Sequence, residues 1–212
     1  MLHRIRIRNR SGRRLLTATA SVACLVGTAL APATASATTV NNGVYCDEPM
    51  SQAFSQFGDT NLYALAPGGD FESDVSTWTL GAGTAVVNGS ETFAVTGTLG
   101  TRSLSIPAGG QAMSAPVCVD PTRDKFRFVV RSLTSRARLK VEALFVKDGS
   151  TKASVVNVGY VSSPAGTWTA TAILRNSVSK YLSGGGRVTY RFSAENGTVQ
   201  MDDLHIDPRR IR

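Results

Sequence analysis

The chain is poor in the side chains that metal and nucleophilic chemistry need. It has two histidines, His3 and His205, and three cysteines, Cys24, Cys46 and Cys118. The usual zinc ligand sets of histidine and thiolate are therefore excluded. No serine sits in the glycine pattern of a nucleophile elbow, so His205 has no marked partner for a Ser-His-Asp site. On the polar side of a strand, beside Asp203 and Asp207, it reads as a solvated surface group. No glycine-rich loop opens a helix, and Gly184-Gly185-Gly186 reads as a turn between strands, which excludes a phosphate cradle. No pair of acids is marked by spacing as a glycosidase pair. The expectation is a protein that is not an enzyme, with a hydrolase or lyase as the third reading.

Long apolar runs are also missing, with one exception. Arg4, Arg6, Arg8, Arg10, Arg13 and Arg14 precede an apolar stretch from Leu15 to about Leu30, and small residues then lead to Ala35-Ser36-Ala37. A positive head, a short greasy middle and an A-x-A exit make a secretory signal peptide over residues 1–37. The run is too short for a membrane span. Cys24 leaves with this segment, and Ser21, three positions before it, lacks the aliphatic character of a lipoprotein signal. The Arg13-Arg14 pair leaves the twin-arginine and general routes both open, and the fuller twin-arginine motif is incomplete. The expected product is secreted, extracellular and free of the membrane after cleavage.

Basic charge is scarce where it would matter for nucleic acid. Removing the six signal arginines leaves 17 basic against 15 acidic residues. A near-neutral exported chain has no electrostatic case for DNA or RNA. The stretch 38–101 holds seven acids and no lysine or arginine, and the remaining bases all follow it.

Helical periodicity is absent as well, and what is present is alternation. Phe126, Phe128 and Val130 share one parity against Lys125, Arg127 and Arg131. Leu139, Val141, Ala143 and Phe145 oppose Arg138, Lys140 and Glu142, and Val188, Tyr190, Phe192 and Ala194 oppose Arg187, Thr189, Arg191 and Ser193. A period of two with one apolar side marks half-buried antiparallel strands. Further strands are expected near Phe71-Glu72, 78–80, 85–87, 92–95, 103–106, 113–119, 155–161, 168–174 and 199–206. Turn signals such as Asn88-Gly89, Lys147-Asp148-Gly149 and Asn196-Gly197 separate them. The pattern predicts an all-β, two-sheet antiparallel jelly-roll sandwich in one domain over residues 67–208, with a basic tail at 209–212. In the last strand the apolar phase slips at Asp202-Asp203, which predicts a β-bulge there.

Residues 38–66 read as an arm, with 49–57 extended or in one short helix. Cys46 and Cys118 remain in an oxidising setting, so one disulfide between them is the default, tying the arm to the sandwich. Closing so long a loop stabilises a fold by about 4 kcal/mol in the chain-entropy treatment.

Two resemblances follow from particular residues. Gly68-Gly69-Asp70-Phe71-Glu72, then Trp78-Thr79-Leu80, and the closing Val199 to Ile206 with Asp202-Asp203 resemble the galactose-binding-like superfamily. That superfamily includes carbohydrate-binding modules of xylanases and glucanases. The early cysteine, Gln52-Ala53-Phe54, Phe57-Gly58-Asp59, Leu65 to Glu72, Phe126-Arg127-Phe128 and Asp202-Asp203 resemble a group of uncharacterised secreted actinobacterial proteins, to which no activity attaches. The first resemblance implies a structural calcium ion held by Glu72 and Asp202; no cofactor is otherwise required. Two carboxylates and bulge carbonyls suit an ion that takes six to eight oxygens.

Aromatics are few, at 7% of the chain. Trp78 and Trp168 are expected in the core, so sugar-stacking platforms are not evident. Trp168, after a Pro-Ala-Gly-Thr turn, remains a candidate ligand contact. Arg127, Arg131, Arg138, Lys140, Arg187 and Arg191 share an outward parity and would form a cationic strip for acidic polymers if their strands adjoin. Arg127, Arg138 and Arg191 are the candidates from that strip. The resulting reading is a monomeric secreted binding module for a glycan or cell-wall polymer. The rival is an extracellular structural or protein-interaction domain with no carbohydrate ligand.

Overall fold

A computed structural model describes residues 40–41, 44–45, 48–119, 123–182 and 185–209 of the chain. The expected signal peptide and Cys46 lie outside the described residues. Val40–Asn41 (β1) and Val44–Tyr45 (β2) pair with each other. One sheet comprises Met50–Ser51 (β3), Leu62–Leu65 (β4), Ala85–Asn88 (β6), Arg102–Ile106 (β7), Lys125–Ser132 (β10), Thr169–Ala170 (β13), Leu174–Arg175 (β14) and Val199–Arg209 (β16). The other comprises Thr79–Leu80 (β5), Gln111–Met113 (β8), Val117–Val119 (β9), Arg138–Val146 (β11), Ala153–Val161 (β12) and Gly186–Glu195 (β15).

All pairings are antiparallel, and the two layers make the jelly-roll sandwich. In the eight-stranded sheet the order is β13-β10-β16-β4-β3, with β7 also on β16 and β6 on β7. In the six-stranded sheet it is β12-β11-β15-β8-β5, with β9 also on β15. Among the described residues no helix is long and apolar enough to cross a membrane.

The apolar parities read from the sequence meet in the middle. Phe126, Phe128 and Val130 face Tyr190 and Phe192 across the layers, all fully buried. Phe126 and Tyr190 rings lie 4.2 Å apart, and Phe128 and Phe192 rings 5.5 Å apart in an edge contact. Burying side chains of this size stabilises by roughly 1.5–3 kcal/mol each, which makes this aromatic layer the main cement of the sandwich. Trp78 belongs to the same core, 5.0 Å from Phe71.

The bulge is where the phase slip puts it. Arg127 pairs with His205 and Val129 with Asp202, so two steps on β10 span three on β16. Asp203 takes a left-handed φ of 53°. At the β15–β16 turn, Asn196 and Gly197 both have positive φ, and a Cβ on Gly197 would stand 2.9 Å from that of Ala137. That turn carries the chain from one sheet to the other, since β15 pairs with β11 and β16 with β10.

Several expectations shift. Phe71-Glu72 and residues 92–95 are bends and turns rather than strands, because their backbone polar groups are met by side chains and tight turns. Residues 113–119 and 168–174 each break into two short strands. Leu62–Leu65, assigned to the arm by sequence, forms β4 and pairs with β16. The 49–57 segment holds one turn of 3-10 helix, Ser55–Phe57. Arg209 continues β16 opposite Leu62, and residues 210–212 of the expected tail lie outside the described residues.

Candidate functional site

Strand parity decides what each sheet shows outward. On the six-stranded sheet, the even-numbered residues of β11 and the odd-numbered residues of β15 point away from the core. Register sets Arg138 opposite Glu195, Lys140 opposite Ser193, Glu142 opposite Arg191 and Leu144 opposite Thr189. Glu142 is the hub. Its carboxylate takes Lys140 Nζ at 2.8 Å and both Nε and Nη2 of Arg191 at 2.8 Å. Burial alone would raise the Glu142 pKa, but hydrogen bonds and charge from Arg191 and Lys140 hold it below the ordinary value.

Beside this hub, Arg138 donates to Glu195 Oε2 through Nε at 2.9 Å and Nη2 at 2.7 Å. Its guanidinium also lies 4.2 Å over the ring of Tyr160, which β12 presents at 48% exposure. The face therefore has a polar end with fixed donors, two held carboxylates, Glu142 and Glu195, and an exposed aromatic ring. Toward its other end it opens into a groove of about 690 Å³ lined by Thr79, Met113, Leu144, Val146, Arg187 and Thr189 among others.

The eight-stranded sheet differs. Arg127 and Arg131 belong to it, so the six basic residues do not make one strip. Arg127 is 7% exposed, paired to Asp59 at 2.5 Å, donating to the Thr171 carbonyl at 2.8 Å and stacked over Phe54 at 4.4 Å. The cause is residues 53–63, which lie across this face with Ala53, Phe54 and Tyr63 in a second apolar cluster with Val129 and Trp168. Arg131 is held by Gln200 and lies 4.5 Å over the Trp168 ring. Trp168 is buried, at 7% exposure, but in the cluster under the arm rather than between the two sheets. The expected surface histidine is buried too: His205 is 2% exposed, its ring 5.5 Å from Phe54 and its Nδ1 2.8 Å from the Asp203 carbonyl.

The carboxylates named for calcium are occupied separately. Glu72 accepts from the backbone N–H of Thr101 and of Arg102 at 2.6 Å and from the Thr101 hydroxyl at 2.8 Å. Asp202 accepts from Ser90 Oγ at 2.8 Å, Glu91 N–H at 3.1 Å and Asp203 N–H at 3.0 Å. Beside Glu72 lies a pocket of about 340 Å³ lined by Asp70, Glu72, Ser90 and Asp203 among others, with no lysine or arginine among the described residues of its lining. Burial, opposed by those hydrogen bonds, pushes Asp202 up to about 7. Burial first, then the charge of Asp202, Glu91 and Asp70, raises Asp203 well above the carboxylate range. The donors suit a hard cation in chemistry. Among the described residues, however, no three such side chains are gathered as a ligand set.

No protein-family profile matches the sequence, and no curated protein matches it. Solved structures do. One is the CBM22-1–GH10 portion of Clostridium thermocellum endo-1,4-β-D-xylanase 10B complexed with xylohexaose, at 16% identity and a TM-score of 0.49, covering 71% of this chain and 29% of that one. Another is the CBM22-1 xylan-binding domain from Paenibacillus barcinonensis Xyn10C, at 15% identity and 0.46, covering 68% and 94%. A third is the module CBM6cm-2 from Cellvibrio mixtus lichenase 5A with cellotriose, at 17% identity and 0.42, covering 64% and 95%. The likeness is one of fold. This chain spans under a third of the xylanase chain it matches.

Of the candidate ligand residues, Arg138 and Arg191 come together on one face, and Arg127 and Trp168 lie under the arm on the other. Glu142 and Tyr160 were missed as site residues. Parity alone places Glu142 outward with Lys140. Tyr160 could not be placed from sequence, because the β11–β12 register shifts between Val141 and Glu142 and moves it onto the outer face. Cys118 is buried on β9 and disulfide-bonded.

Proposed function

We propose that the protein is an exported, non-catalytic binding module that takes a glycan or cell-wall polymer at the polar end of the bare six-stranded face. The observation carrying this is the Lys140–Glu142–Arg191 network beside the Arg138–Tyr160 stack. Donors and an acceptor held on rigid strands can meet hydroxyl groups without first being ordered, and the exposed ring offers an apolar face to a sugar. Export follows from the N-terminal 37 residues, and the reading includes a Cys46–Cys118 bridge. The histidine beyond the signal is buried under the arm, so it does not offer an imidazole at the surface.

A glycan array on the purified protein, followed by retention on the best hit, tests the reading. Glu142→Gln is expected to lower retention at least about tenfold, since it removes the hub of the network. Binding to no glycan or wall polymer, or unchanged retention in Glu142→Gln, would overturn it. Val146 and Val155, each about half exposed on the same sheet, favour the second reading, a protein partner.

Calcium belongs to the same proposal. Glu72 and Asp202 would begin its shell, with the remaining oxygens supplied by backbone carbonyls, since no third carboxylate is gathered with them among the described residues. The expected result is a higher melting temperature in excess calcium than in chelator. Equal melting in both removes the ion from the account.

A further inference from the structure

The groove at the other end of the six-stranded face has a character of its own. Its walls are mainly aliphatic, from Met113, Leu144, Val146 and the buried Leu182, and the one aromatic among the described residues of its lining, Phe145, is itself buried in the core with no ring face free for a sugar. Sugar stacking needs an aromatic face, so these walls suit an acyl or alkyl body better than a bare glycan. Its volume, about 690 Å³, lies in the range of small-molecule sites, about 300–1,000 Å³.

Charge gives the second half. Four basic residues share this face, and three of them are held by acids: Arg138 by Glu195, and Lys140 and Arg191 by Glu142. Arg187 is exposed on the groove lining and has no ion-pair partner among the described residues. Asp148, also on the lining, already has an interaction partner. An unpaired guanidinium beside an aliphatic trough complements an anion carried on an apolar chain.

We propose that this groove binds an anionic amphiphile, with its acyl chain on Met113, Leu144 and Val146 and its carboxylate on Arg187. The site shares a sheet with the polar end but none of its residues, and it does not require that a glycan bind.

Calorimetry with dodecanoate, methyl dodecanoate and butyrate tests it. Dodecanoate should bind, and Arg187→Gln should weaken it about tenfold while leaving the folded melting profile intact. The uncharged ester should bind more weakly than the acid and be insensitive to Arg187→Gln. Leu144→Asn should weaken acid and ester alike. Dodecanoate failing to bind the folded protein, binding Arg187→Gln equally, or binding no better than butyrate would each overturn the proposal. Retention on a glycan, lowered by Glu142→Gln and not by Arg187→Gln, separates the fate of this site from that of the polar end.

Discussion

The two outer faces of the sandwich carry the same sequence pattern and meet opposite fates. β10 and β11 both alternate apolar with basic residues, yet Arg127 of β10 is buried while Arg138 of β11 stays in solvent. The difference lies in what is laid on top. Residues 53–63 and the loop near Val95 cover β10, and Asp59 reaches Arg127 from that cover. Nothing among the described residues covers β11, and its charges are met by neighbours in the same sheet. Alternation therefore identifies which side of a strand faces away from the core. It does not say whether that side is the surface of the protein.

The sharpest way to break the contrast is Arg127→Ala. It leaves the Asp59 carboxylate under the arm without its main cation, and removing one partner of a buried pair typically costs about 3–5 kcal/mol. Stacking on Phe54 is lost as well. Urea unfolding should show a midpoint far below that of the parent protein. A shift of the size seen for an exposed arginine would mean that the arm is loosely attached and that the two faces are alike.

Acid separates the faces next. Burial, opposed by the Asp203 carbonyl and the charge of Asp70, lowers His205 from 6.5 to about 4. Between those values the unfolded chain binds a proton that the folded chain refuses, so stability falls as pH drops from 6.5 toward 4, by up to about 3 kcal/mol. Asp59 adds to the loss at lower pH: burial would raise its pKa, but hydrogen bonds from Tyr63, Arg127 and Asn61 hold it below 3.8. That contribution is present above the unfolded value and lost as pH falls through the folded one. Asp202 runs the other way, its raised pKa favouring the folded state as pH falls below about 7. The decisive comparison is thus between proteins. His205→Gln should lose less melting temperature than the parent on going from pH 7 to 4.5, and an equal loss would place His205 in water.

The core was legible because its signal is local. Phe126, Leu139, Val188 and Met201 sit where a period of two puts them, and the slip at Asp202-Asp203 marked the bulge. What was not legible depended on long-range contacts. Phe54 and Asp59 lie about seventy positions from Arg127, and no spacing links them. Glu72 is a calcium ligand only by resemblance, and its hydrogen bonds from the backbone of Thr101 and Arg102, about thirty positions on, could not be read from spacing. Glu142 could be assigned a side but not a role, since its partner Arg191 comes from a strand whose register only pairing reveals.

The smallest expected effect is on the bare face, and it completes the contrast. Arg138 and Glu195 are each more than a third exposed, so their pairing is shared with water and screened by salt. Exposed pairs are worth about 0.2–1 kcal/mol, and the stack on Tyr160 adds about 0.5–1 kcal/mol at an exposed site. Arg138→Ala should therefore cost no more than about 2 kcal/mol in 0.1 M salt, and most of the ion-pair share should vanish in 1 M salt. The Arg127→Ala deficit should persist at both concentrations, because ions cannot enter under the arm to screen Asp59. If both deficits shrank together with salt, the buried and exposed arginines would share one environment.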